Sequence, residues 1–110
     1  MTRAIEKVKH CQDMQDVRRA INALDDVLVP LLVERVGYMT QAARIKQDAG
    51  QVRDEERIEA IIERVRSRAA VEGGQPDVLE AIYRSMMEAY IAFEHREFAR
   101  LRAPSEGSQP

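Results

Sequence analysis

Arg35 and Lys46 are cations spaced to grip one small anion. Counting along the chain in alternating steps of three and four gives Arg18, Ile21, Asp25, Leu28, Leu32, Arg35, Met39, Ala42 and Lys46, one edge of a helix. Cations and a carboxylate therefore share an edge with apolar side chains. A fully solvated face would be polar throughout, and a core face would exclude the charges. An unpaired buried cation is costly, so partners are implied: Asp25 for one of the cations, an anionic ligand for the rest. Arg35 and Lys46 are nearly in phase and about 16 Å apart along a helix, and their long side chains can converge on a compact dianion. Arg18 lies about 26 Å from Arg35 on the same helix. Those two cannot hold one small molecule from a single chain, so a shared site requires Arg18 from a second subunit. Two such helices packed antiparallel would create two equivalent sites. The plainer reading of the same edge, snorkelling side chains or surface salt bridges, stands beside this one.

The elements that must position these groups are legible from the breakers. Asp48-Ala49-Gly50-Gln51 and Gly73-Gly74-Gln75-Pro76-Asp77 divide the chain into three segments, and the tail 103–110 reads as disordered after a single domain over 1–102. The first segment, roughly Cys11 to Gln47, carries Val17, Ile21, Leu24, Leu28, Leu31, Arg35, Tyr38, Ala42 and Ile45 as one apolar row. As one helix it would be about 55 Å long, against a diameter of roughly 35 Å for a compact domain of this size. Pro30 offers a break, but the row passes through it without a phase slip. The expectation is therefore one long first helix, kinked or straight, covered by a second chain. The second helix opens at Asp54-Glu55-Glu56, presents Ile58, Ile61, Ile62, Val65 and Ala69, and stops at Gly73. The third opens at Pro76-Asp77 with Asp77 as N-cap, and its face is Leu79, Ile82, Met86, Tyr90 and Phe93. Tyr90 and Glu94 are i, i+4 neighbours near that face, although a lone Glu is more often solvated. The fold class is all-α.

Composition agrees. Of 110 residues, 45% are hydrophobic and 33% charged, with 5% aromatic and no Trp, which suits a helical domain and excludes a disordered polymer or a disulfide scaffold. The formal net charge of −2 gives no reason to expect nucleic acid. The sole cysteine, Cys11, can form neither an internal disulfide nor a thiolate metal site, which fits a reducing compartment. No apolar leader or membrane-length apolar run is present, so the expected location is the cytoplasm. His10 and His95 lack metal-ligand spacing, and His95 reads as exposed. Arg64-Val65-Arg66-Ser67-Arg68, flanked by Glu59, Glu63 and Glu72, reads as a solvated face; Arg57 has Glu55 and Glu56 as pairing partners.

From Met14 to Phe98 the chain resembles the all-helical (AroQ-type) chorismate mutases. The resemblance rests on Val17-Arg18-Arg19-Ala20-Ile21-Asn22-Ala23-Leu24-Asp25, Leu31-Leu32-Val33-Glu34-Arg35, Ala42-Ala43-Arg44-Ile45-Lys46 and Val52-Arg53-Asp54-Glu55-Glu56-Arg57. It implies an intertwined homodimer of three-helix chains, a small dicarboxylate substrate and no cofactor or metal. It also implies roles. Arg35 and the partner subunit's Arg18 would bind the two carboxylates. Lys46 would donate to the ether oxygen and a neighbouring carboxylate. Arg57 and the backbone at Asp54 match positions near the substrate hydroxyl and carboxylate, and Tyr90 belongs to the same binding set. Glu94 matches a position usually held by Gln, although fungal members carry Glu; it would have to be protonated to help a developing oxyanion. Ile58 stands where many mutases have Glu. The Arg57-Ile58 pair and Tyr90-Ile91-Ala92 also resemble the isochorismate-pyruvate lyases, which share the fold and form salicylate. The resemblance favours the mutase, an isomerase, with the lyase as alternative on the same site. A non-catalytic helical dimer is the reading from outside enzymology.

Overall fold

A computed structural model of the chain describes residues 2–104. It has three α-helices and two short 3₁₀ turns, with no strand among the described residues. Helix α1 spans Met14–Ile45, α2 Glu55–Val71 and α3 Pro76–Arg102. The sequence expectation of one long first helix holds, with ends two or three residues inside those anticipated. Asp13 caps α1 by accepting from the Asp16 N–H at 2.9 Å. Helix α1 continues through Pro30, which cannot donate to the Asp26 carbonyl one turn back. The expected disordered tail lies, from residue 105 onward, outside the described residues.

Helix α2 starts as expected: the Asp54 side chain accepts from the Arg57 N–H at 3.0 Å, with Glu55 and Glu56 in the first turn. It stops at Gly73, whose φ of +77° lets the Gly73 and Gly74 N–H groups turn back onto the Ala70 and Ala69 carbonyls. At the start of α3 the expectation needs correction. Gln75 is the N-cap, Pro76 holds the first helical position, and Asp77 sits inside the first turn. The inward face of α3 is also rotated from the one read in sequence. Met87, Tyr90 and Glu94 are buried, with Tyr83 and Ile91 half-buried, while Ile82 is 53% exposed. Two adjacent apolar stripes exist on this helix, and periodicity alone does not say which one its neighbours cover.

The core is small. Ile58, Ile62 and Met87 form its centre, with Ile61, Tyr83 and Ile91 packed against them between α2 and α3. These two helices run antiparallel, as the Arg66–Glu80 and Arg84–Glu59 ion pairs show. The Arg64-to-Arg68 run thus contributes paired surface residues, as expected. Helix α1 runs in the same direction as α3: Tyr90 bonds to Leu32, Thr40 to Glu97 and Arg102 to Ala43.

Only the C-terminal half of α1 is packed in this way. Across its middle, Leu24, Val27, Leu28, Val29, Leu31 and Val33 are each between 48% and 68% exposed. The described chain measures 65 × 31 × 23 Å with a radius of gyration of 18.5 Å, well above the ~13 Å of a compact domain of this length. The overhang anticipated from sequence is therefore real, and it carries exposed apolar residues around much of its circumference.

Candidate active site

Where α1, α2 and α3 converge they enclose a cavity of about 320 Å³. Helix α1 and its C-cap residue contribute Arg35, Met39, Ala42 and Lys46, the last four members of the charged edge read from the sequence. The connection to α2 contributes Val52 and Asp54; α2 adds Arg57, Ile58 and Ile61; α3 adds Met87, Tyr90, Ile91 and Glu94. Six of the seven expected site residues thus meet around one space. Arg18 does not. It is exposed, near the other end of α1, roughly 26 Å along the helix from Arg35.

Lys46 is the C-cap of α1, the residue just past its end. Its backbone has left helical geometry (φ −64°, ψ 145°), which swings the side chain across the cavity floor. The ammonium Nζ donates to Glu94 Oε2 at 2.7 Å and to the Val52 carbonyl at 3.4 Å. Glu94 is almost completely enclosed, its side chain 4% exposed against 26% for Lys46. The expectation that a lone Glu here is more often solvated is thereby corrected. A buried carboxylate needs a partner, and α1 and α3 run close enough to supply one.

At the opposite end the Arg35 guanidinium lies over the Tyr90 ring, 5.0 Å from its centroid, and 5.9 Å from that of Tyr83. These are cation–π distances and orient the guanidinium without using its N–H donors. The Tyr90 hydroxyl donates to the Leu32 carbonyl at 3.2 Å and so fixes the ring on α1. Asp54 turns its carboxylate onto the α2 N-terminus. Arg57 pairs with neither Glu55 nor Glu56 among the described residues, which corrects the pairing suggested by sequence. Arg53 takes Glu55 and Glu88 instead, leaving the Arg57 side chain on the cavity wall. Asp25 likewise forms no ion pair among the described residues.

The cavity wall carries three cations (Arg35, Lys46, Arg57) and two carboxylates (Asp54, Glu94), a formal balance of +1. Its remaining side chains are apolar apart from the Tyr90 phenol, and the residues lining it include no Ser, Thr, Cys or His. Such a wall can bind and orient an anion and place an ammonium and a carboxyl group against one of its atoms. No Ser, Thr, Cys or His stands on this wall as a nucleophile or base for acyl transfer. Among the described residues no group of three or more His, Cys, Asp and Glu stands ready to hold a metal. No described helix is long and apolar enough to cross a membrane. His95 is exposed, as expected.

Sequence reasoning missed Tyr83 beneath Arg35, although it lies two turns before Tyr90 on the same helix face. It also missed the contact of Arg102 with the end of α1, for which no sequence signal exists.

In comparison with known families, the family model described as chorismate mutase type II matches residues 17–95. A search of curated proteins finds no match.

Proposed function

Since the chain belongs to the type II chorismate mutase family, we propose that it converts chorismate to prephenate in the cavity between its three helices. The observation that carries this reading is the arrangement of Lys46 and Glu94, 2.7 Å apart at one end of an apolar-walled cavity whose other end holds Arg35. The reaction is a concerted [3,3] rearrangement with no covalent intermediate, so the catalyst's task is positioning and charge stabilisation. Arg35 takes one substrate carboxylate. Lys46 donates to the ether oxygen and the adjacent carboxylate, and charge growing on that oxygen as the C–O bond breaks meets a cation already in place. Preorganised donors of this kind contribute about 3–4 kcal/mol each, and holding the reactant in its chair-like geometry lowers the barrier further. Glu94, with a proton on its carboxyl, is a second donor to the same oxygen. Arg57 and the backbone at Asp54 lie towards the substrate's hydroxyl and a neighbouring carboxylate, and Tyr90 holds Arg35 in place.

The second carboxylate calls for Arg18 of the partner subunit. Its addition raises the formal balance of the cavity from +1 to +2 with Glu94 ionised, and to +3 when Glu94 carries its proton, a positive excess that suits a dianion. The exposed apolar middle of α1 is the surface on which we seat that second copy, antiparallel to the first. Ile58 in the cavity wall supports the isochorismate-pyruvate lyase reaction as the second reading, because no carboxylate stands there to receive the substrate hydroxyl. Assay of the purified protein with each substrate decides. Prephenate formation supports the mutase, and salicylate with pyruvate supports the lyase. Inactivity on both, with no binding of a bicyclic dicarboxylate transition-state analogue, would leave a non-catalytic helical dimer.

A further inference from the structure

The last residue of α3 reaches back to the last residues of α1. Arg102 Nη1 donates to the Ala43 carbonyl at 3.0 Å, and Nη2 donates to the Arg44 carbonyl at 3.5 Å and to the carbonyl of Lys46 itself. Its guanidinium lies 3.6 Å from the Phe98 ring centroid, one turn earlier on α3. Nη1 also donates to the Phe98 carbonyl at 3.3 Å. The end of any α-helix exposes carbonyls without intrahelical partners and carries partial negative charge. Here there is no glycine after α1 to satisfy them by turning back, since the chain leaves through Lys46 in extended geometry. A planar, always-charged side chain with forked donors replaces that turn.

We infer that Arg102 is a positioning residue for Lys46. The Lys46 ammonium sits at the end of a flexible four-carbon stem, so its location is only as well defined as the backbone from which it springs. That backbone is held on one side by the Lys46 N–H bond to Ala42 and on the other by Arg102 at its carbonyl. Because Arg102 lies two turns beyond Glu94 on α3, the same helix holds both the backbone of Lys46 and the partner of its side chain. Arg102 stands outside the 17–95 segment that the family model matches. This positioning role rests on the assignment of Lys46 as the group at the ether oxygen.

The test compares Arg102→Ala and Arg102→Lys with the wild type, each also in a Lys46→Ala background. A misplacement of about 1 Å can cost up to ~100-fold in rate, so Arg102→Ala is expected to lower kcat about tenfold, with KM within about twofold. Arg102→Lys keeps the charge but not the fork and should recover part of the loss. In the Lys46→Ala background, Arg102→Ala should cost nothing further, because the group it positions is gone. Hydrogen exchange at the Lys46 and Gln47 amides should quicken in Arg102→Ala while the α2–α3 core stays protected. An unchanged kcat, or an equal loss with and without Lys46, would overturn the inference. Were the wild type inert on both substrates, the functional reading would fail by itself. The exchange comparison would then decide alone whether Arg102 fixes this backbone.

Discussion

Replacing Leu24 by Asp should separate the protein into monomers and abolish its activity. Leu24 sits mid-row on the uncovered part of α1 and is 68% exposed, with Ile21, Leu28 and Leu31 beside it at 50%, 48% and 57%. Full burial of a leucine is worth about 1.5–3 kcal/mol, so covering the exposed part of Leu24 contributes roughly 1–2 kcal/mol per copy and twice that per dimer. An Asp there forfeits this term and must also be dehydrated or protonated, at several kcal/mol per carboxylate. Two copies make the total about 8–14 kcal/mol, a weakening of at least ~10⁵-fold at 1.4 kcal/mol per decade. Leu24→Ala loses only the burial term and should weaken association by roughly 10–10³-fold. Sedimentation velocity over a concentration series reads both, with circular dichroism reporting retained helix and prephenate formation reporting the site. If the wild type sediments as a monomer at tens of micromolar, or if Leu24→Asp stays dimeric, the reasoning from the uncovered face fails. A monomeric Leu24→Asp that keeps full activity would instead remove Arg18 from the site.

Arg18→Ala and Arg35→Ala should each be nearly inactive alone. After dissociation and random mixing about a quarter of wild-type activity should return, since half the dimers would carry one intact site of two; no recovery would exclude a shared site. Glu94→Gln puts a neutral amide donor in place of the carboxyl and should keep or raise kcat, whereas Glu94→Ala should lower it about 10²–10³-fold; an unchanged kcat in Glu94→Ala would remove Glu94 from the chemistry. Bonds from Arg100 and Thr40 hold the Glu97 carboxyl down at about 2, from an ordinary 4.5. A depressed carboxyl stabilises the fold fully above its unfolded value. The contribution should therefore shrink as pH drops below 4.5 and vanish towards 2. Urea unfolding of wild type and Glu97→Gln should differ at neutral pH and converge in that window; a constant gap would exclude this carboxylate as the cause.

What the sequence by itself determined is what depends on neighbours along the chain. Alternating steps of three and four residues define a helix edge whatever packs against it, so the placing of Arg35 and Lys46 on one line, and of Arg18 too far along it, followed from helical geometry alone. Capping is equally local. Asp54 at the start of α2 and Gly73 at its end were legible because each satisfies backbone groups within one turn of itself. The start of α3 misled because Pro76 and Asp77 both suit a first turn, and the cap fell to Gln75 just before them. Only the tertiary structure decided which of two adjacent stripes on α3 faces inward, that Glu94 is buried against Lys46, that Arg53 rather than Arg57 takes Glu55, and that Arg102 closes the end of α1. Each is a meeting of residues 30 to 60 positions apart or a choice among rivals with equal local claims. Such contacts are set by how helices α1 and α3 lie against one another. No periodicity records that relation, because it is a property of two surfaces rather than of either sequence.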